Sequence, residues 1–66
     1  MGFTAKAARV NRNLTQAEVA ELLGIGRVMY QRLEKTPEQL TVEQMRKLCD
    51  ALGVRHVGGN SFTLAD

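Results

Sequence analysis

Apolar positions recur along this chain at helical spacing in four short blocks, divided by residues that end helices. The first block, about Thr4 to Asn11, sets Ala5, Ala8 and Arg9 on one side. Thr15-Gln16-Ala17-Glu18 then has the spacing of a capping box, in which the Thr15 hydroxyl accepts from the amide three residues on and Glu18 reaches back. A second helix therefore starts there, carries Val19, Leu22 and Leu23, and stops at Gly24, which enters the left-handed conformation cheaply. A turn holding Gly24 and Ile25 leads to a third helix, about Arg27 to Lys35. Pro37 disfavours helical geometry at Thr36 and closes it, and a loop follows to Leu40. Thr41-Val42-Glu43-Gln44 repeats the capping logic, and Met45, Leu48, Cys49 and Leu52 share one face of a fourth helix ended by Gly53. After Val54 the pattern changes. Two adjacent glycines, Gly58 and Gly59, precede an alternation that puts Phe62 and Leu64 on one side, which reads as a short strand or an extended arm.

These blocks predict an all-α fold: a compact four-helix domain over residues 1–56, followed by a short extended or β tail over 57–66 that could pair subunits. Length limits the alternatives. A chain of 66 residues forms one small domain, and a core of this size supplies only about 3 to 5 kcal/mol on its own. The single Cys49 excludes an internal disulfide and, with the single His56, argues against a zinc site, so neither metal nor cofactor is expected. Packing, aided by a second subunit, has to hold the fold. The balance of 44% hydrophobic and 24% charged residues is that of a globular chain. No apolar run approaches the ~18 residues of a membrane span, and the N-terminal residues lack the order of a signal peptide, so a reducing cytosol is the expected location.

Charge adds a pattern rather than a total, because +2 overall is mild. Lys6, Arg9 and Arg12 precede an acidic stretch holding Glu18 and Glu21, and Arg27, Arg32 and Lys35 then outnumber Glu34. Folded together, the two basic segments would make a face suited to a phosphate backbone.

Two short helices joined by a tight Gly-containing turn form a helix-turn-helix. Ala20 is small where the helices would cross, Ile25 plugs the turn, and Val19, Leu23, Tyr30 and Leu33 supply the shared core. The run Leu14-Thr15-Gln16-Ala17-Glu18-Val19-Ala20-Glu21-Leu22-Leu23-Gly24-Ile25-Gly26-Arg27, then Leu33-Glu34 and Ala51-Leu52-Gly53-Val54, resembles the phage repressor and Cro-type helix-turn-helix family over about residues 4 to 54. The resemblance implies a sequence-specific, DNA-binding transcriptional regulator, a repressor acting as a homodimer on a two-fold, double-stranded operator. It implies a base-reading set of Arg27, Val28, Gln31 and Arg32. Their chemistry suits guanine, a thymine methyl and adenine. It also implies phosphate contacts from Thr15, Gln16 and the first amides of the second helix, with Lys35, Arg12 and Lys6 as further candidates. Arg9 and Glu34 occupy positions that pair in the family. Gly26 stands where a Ser or Thr usually caps the recognition helix, and the family's fifth helix is missing. The tail resembles that of small Cro proteins and antitoxins that pair through a C-terminal strand, which points to Phe62, Leu64 and Val57 as the dimer contact.

Other residues read plainly. Met29 and Tyr30 are expected as core or phosphate-flank residues, Cys49 as a buried inert thiol, and His56 as a surface or hinge residue. No nucleophile, base and orienting group can be assembled from one His and one Cys, so no enzyme is expected. The alternative from a different class is an antitoxin or antirepressor that acts by binding a protein partner, a toxin or a repressor.

Overall fold

The computed structural model describes residues 2–65 and contains α1 (Ala5–Asn11), α2 (Gln16–Leu23), α3 (Arg27–Lys35), a 3-10 turn (Pro37–Gln39), α4 (Val42–Leu52), β1 (Val54–Gly58) and β2 (Ser61–Leu64). Each cap is built from its own neighbours. Thr4 accepts from the Ala7 amide at 3.1 Å, and Thr15 accepts from the Glu18 amide at 3.0 Å while Glu18 accepts from the Thr15 amide at 2.8 Å. Thr41 and Gln44 form the same reciprocal pair ahead of α4. Gly24 and Gly53 end α2 and α4 at φ +73° and +67°, where a side chain would be strained. Asn13, at φ 58°, is the non-glycine residue that tolerates this region best, and it turns the chain between α1 and α2.

Helix α2 packs on α3 and α4, and the hairpin closes the far side against α4 and α1. Ala5, Ala8, Val19, Ala20, Leu23, Tyr30, Leu48, Leu52, Val54 and Phe62 form the core, with Phe3, Leu14, Ile25, Leu40, Met45 and Cys49 half-buried around it. Leu48 and Leu52, almost fully buried, each contribute on the order of 1.5 to 3 kcal/mol relative to exposure. Cys49 lies half-buried at this margin, and burial pushes its thiol up from the ordinary range.

The tail expected after the helices is β, and it begins at Val54, ahead of the residue 57 expected for it. The chain leaves Gly53 directly into an antiparallel hairpin with Val54 opposite Leu64, Arg55 opposite Thr63 and His56 opposite Phe62, and an irregularity before Gly58 opposite Ser61. The division at residue 56 therefore falls inside β1. Nor is Phe62 an exposed dimer contact: it is 0% exposed, exchanges backbone hydrogen bonds of 2.8 and 2.7 Å with Phe3, and lies under the His56 ring at 5.0 Å. The physical reason is that residues 2–3 come back across β2 and complete its pairing, so the alternating segment covers this chain's own core. Gly2 permits that approach, since an added Cβ would collide with Ser61 Oγ and stand 2.9 Å from the Phe62 carbonyl. Asn60 in the hairpin turn accepts from the Ala5 amide at 3.0 Å and ties the hairpin to the start of α1. Val57 and Leu64, by contrast, are exposed.

Candidate nucleic-acid interface

The turn between α2 and α3 is held by its backbone. The Ile25 amide donates to Ala20 at 3.0 Å and the Gly24 amide to Glu21 at 3.1 Å, while Ala20 is buried at the crossing. Gly26 begins α3 with no side-chain cap. One side of α3 then faces in and one faces out. Tyr30 and Glu34 are buried, and Arg27, Val28, Met29, Arg32 and Lys35 are exposed, Val28 by 63%. Residues 27, 28, 31, 32 and 35 lie on one helical stripe. Of the pair expected as core or phosphate-flank residues, Tyr30 is in the core and Met29 is exposed beside the stripe.

Beneath the stripe lies a polar network. Arg9 Nε donates to Glu34 Oε2 at 2.6 Å and Arg9 Nη2 to Glu34 Oε1 at 3.4 Å, while Arg9 Nη1 donates to the Leu14 carbonyl at 2.8 Å. Gln16 Nε2 donates to Glu34 Oε1 at 3.1 Å, and Gln31 Nε2 donates to Gln16 Oε1 at 3.1 Å. Burial by itself raises the Glu34 carboxyl, but the hydrogen bonds from Arg9 and Gln16 and the Arg9 charge outweigh it and hold Glu34 below the usual carboxylate range. The buried Tyr30 hydroxyl has no hydrogen-bond partner among the described residues, and burial and the nearby Glu34 carboxylate push its ionisation well up, so it stays neutral.

At the start of α2, the amides of Gln16 and Ala17 lie ahead of the helix's own ladder and Thr15 keeps its hydroxyl proton free to donate, since the oxygen only accepts in the cap. Lys6, Gln16, Gln31, Glu34 and Lys35 line one cleft, together with Thr4 and Asn60. The structure thus gathers Lys6, Gln16, Gln31 and Lys35 beside the exposed stripe of α3. Arg12 stands elsewhere. Its guanidinium lies over the C-terminal cap of α4, about 3.6 Å from where a Cβ on Gly53 would be, at the negative end of that helix. Its charge belongs to the first basic segment of the sequence, but the chain sets its exposed side chain beside Gly53 rather than in the cleft that holds Lys6 and Lys35.

The Gln16–Gln31 hydrogen bond and the Asn60 cap had no local signal in sequence, because each joins residues from separate elements. Among the described residues, no group of His, Cys, Asp and Glu is placed to hold a metal ion, and no helix is long and apolar enough to cross a membrane.

The geometry agrees with comparison to known families: a helix-turn-helix family model matches residues 6–58, from α1 to the end of β1. Comparisons with curated proteins and with solved structures return no match. A match over this much of the chain, on a structure with α2 and α3 joined by the Gly24 turn, shows that the chain belongs to the Cro/C1-type helix-turn-helix family of DNA-binding regulators.

Proposed function

We propose that this protein is a sequence-specific transcriptional repressor whose α3 lies in the major groove of a two-fold operator bound by a homodimer. The observation that carries the reading is the outward stripe of α3, where the side chains of Arg27, Arg32 and Lys35 are exposed and make no salt bridge with the rest of the described chain. Arg27 and Arg32 are available for bidentate hydrogen bonds to guanine, Val28 for a thymine methyl, and Gln31 for adenine. The start of α2 and the lysines of the adjoining cleft are available for phosphates. One short helix reads only a few base pairs, so useful selectivity needs two copies about 34 Å apart. With Phe62 committed to the core, the pairing falls to the exposed Val57 and Leu64 of the hairpin.

The test is selection of a duplex from a randomised pool, followed by titration at rising salt. The parent should enrich a two-fold sequence, and Arg27→Ala and Arg32→Ala should each lose about 1 to 3 kcal/mol on it while relaxing preference at one base pair. Equal losses on selected and random duplex would reduce both arginines to phosphate contacts. No enrichment, with tight binding to a protein partner that survives both substitutions, would favour the antitoxin or antirepressor reading. Sedimentation of Leu64→Asp should show a shift toward monomer, and an unchanged dimer would place the contact elsewhere.

A further inference from the structure

The side chains below the reading stripe form a hydrogen-bond series whose direction is forced by chemistry. The Glu34 carboxylate, held ionised beside Arg9 at 2.6 Å, can only accept. Gln16 must therefore turn its Nε2 toward Glu34, and its Oε1 then faces Gln31. Gln31 in turn must present an N–H to that oxygen, because two carbonyl oxygens cannot bond each other. What remains free on Gln31 is its carbonyl oxygen and one N–H, side by side on the half-buried residue that shares a stripe with Arg27 and Lys35. That donor-and-acceptor pair is what the major-groove edge of adenine requires.

We propose that Glu34, acting through Gln16, sets the orientation of the Gln31 carboxamide for adenine, so that Glu34 and Gln16 are positioning residues for specificity. The inference rests on α3 being the reading helix. An unanchored Gln side chain rotates among several rotamers and both amide orientations, so its donor and acceptor meet any base with little discrimination. Anchored at one N–H, it offers a single pattern. The ion pair that joins α1 to α3 thus serves recognition as well as the fold.

The experiment uses the full chain and Gln16→Met, which keeps the length of the side chain and removes its amide, so folding is spared where Glu34→Gln could disturb the buried Arg9. In nuclear magnetic resonance spectra of the free protein, the Gln31 side-chain NH2 protons should be dispersed and exchange slowly with solvent in the parent, and move to the positions of an exposed glutamine in Gln16→Met. On the selected duplex and its single-base variants, Gln31→Ala and Gln16→Met should relax preference at the same A·T pair, by about fivefold or more for Gln31→Ala and part of that for Gln16→Met. Unchanged Gln31 NH2 signals in Gln16→Met would overturn the relay without touching the proposed function. So would a loss of affinity in Gln16→Met that is uniform over all duplexes, which marks Gln16 as a phosphate contact only. A parent chain that selects no duplex would overturn both readings, whereas a parent that selects one and loses no selectivity in Gln31→Ala would overturn the relay alone.

Discussion

The two sides of α3 differ in almost every physical respect although they alternate within nine residues. Inward, Tyr30 and Glu34 are buried, and Glu34 is bonded to Arg9 of α1 and Gln16 of α2; outward, the side chains of Arg27, Val28 and Arg32 are exposed and form no hydrogen bond or salt bridge among the described residues. The difference teaches that fold and recognition are divided by helical period, one residue type set to each face. Gln31 stands at the seam, half-buried, bonded inward through one N–H.

The comparison breaks most directly on its inward side. Glu34→Ala leaves the Arg9 guanidinium buried without its carboxylate, a defect that costs about 3 to 5 kcal/mol. A domain of this size has about that much to lose, so the variant should be largely unfolded at 25 °C by circular dichroism, and a melt close to the parent's would show that Arg9 reaches water.

Acid tests the same pair without mutation. Because the folded-state pKa of Glu34 lies below its ordinary value of 4.5, its contribution is complete above that value and is lost as pH falls through the folded one. Urea midpoints should therefore decline below about pH 4.5, and Glu34→Gln, less stable at neutral pH, should show a shallower decline. Equal slopes in the two proteins would assign the acid loss to other carboxylates.

The outward side should respond in the opposite manner. Arg27→Ala and Arg32→Ala, which weaken operator binding as described above, should shift unfolding by no more than about 0.5 kcal/mol, as surface substitutions do. A large loss of stability in either would mean that the two faces are coupled after all. The smallest effect concerns the start of α3. Gly26 has an ordinary extended backbone at φ −76° and open space around its missing Cβ, so Gly26→Ser should add a side-chain cap and raise stability by a few tenths of a kcal/mol. A decrease would mean that the uncapped amides of Arg27 and Val28 already have another partner.

The hairpin shows where reading the chain in order reached its limit. Alternation placed Phe62 and Leu64 on one side of a strand, and they do face the same way, opposite His56 and Val54. Yet Phe62 is fully buried and Leu64 is 65% exposed, because the Phe3 segment crosses β2 at Phe62 and leaves its end uncovered. The period of a strand says which side chains point together and nothing about what covers them. Arg12 shows a related limit: its charge is legible in the sequence, but its place beside Gly53 is set by contacts distant along the chain.

Four helices and their ends were legible from residues alone because the interactions that set them are short. Thr15 with Glu18, Thr41 with Gln44, and the glycines at 24 and 53 act within one turn of the backbone, where a few residues decide the outcome. The outward stripe of α3 followed, since its inward neighbours Tyr30 and Leu33 could be recognised as apolar. Only the tertiary structure decided that the tail is a hairpin closed by Phe3, that Arg12 serves the end of α4, and that Gln16 joins Glu34 to Gln31. These contacts join segments distant in sequence, and their geometry exists only after the core has brought α1, α2, α3 and the two ends of the chain together.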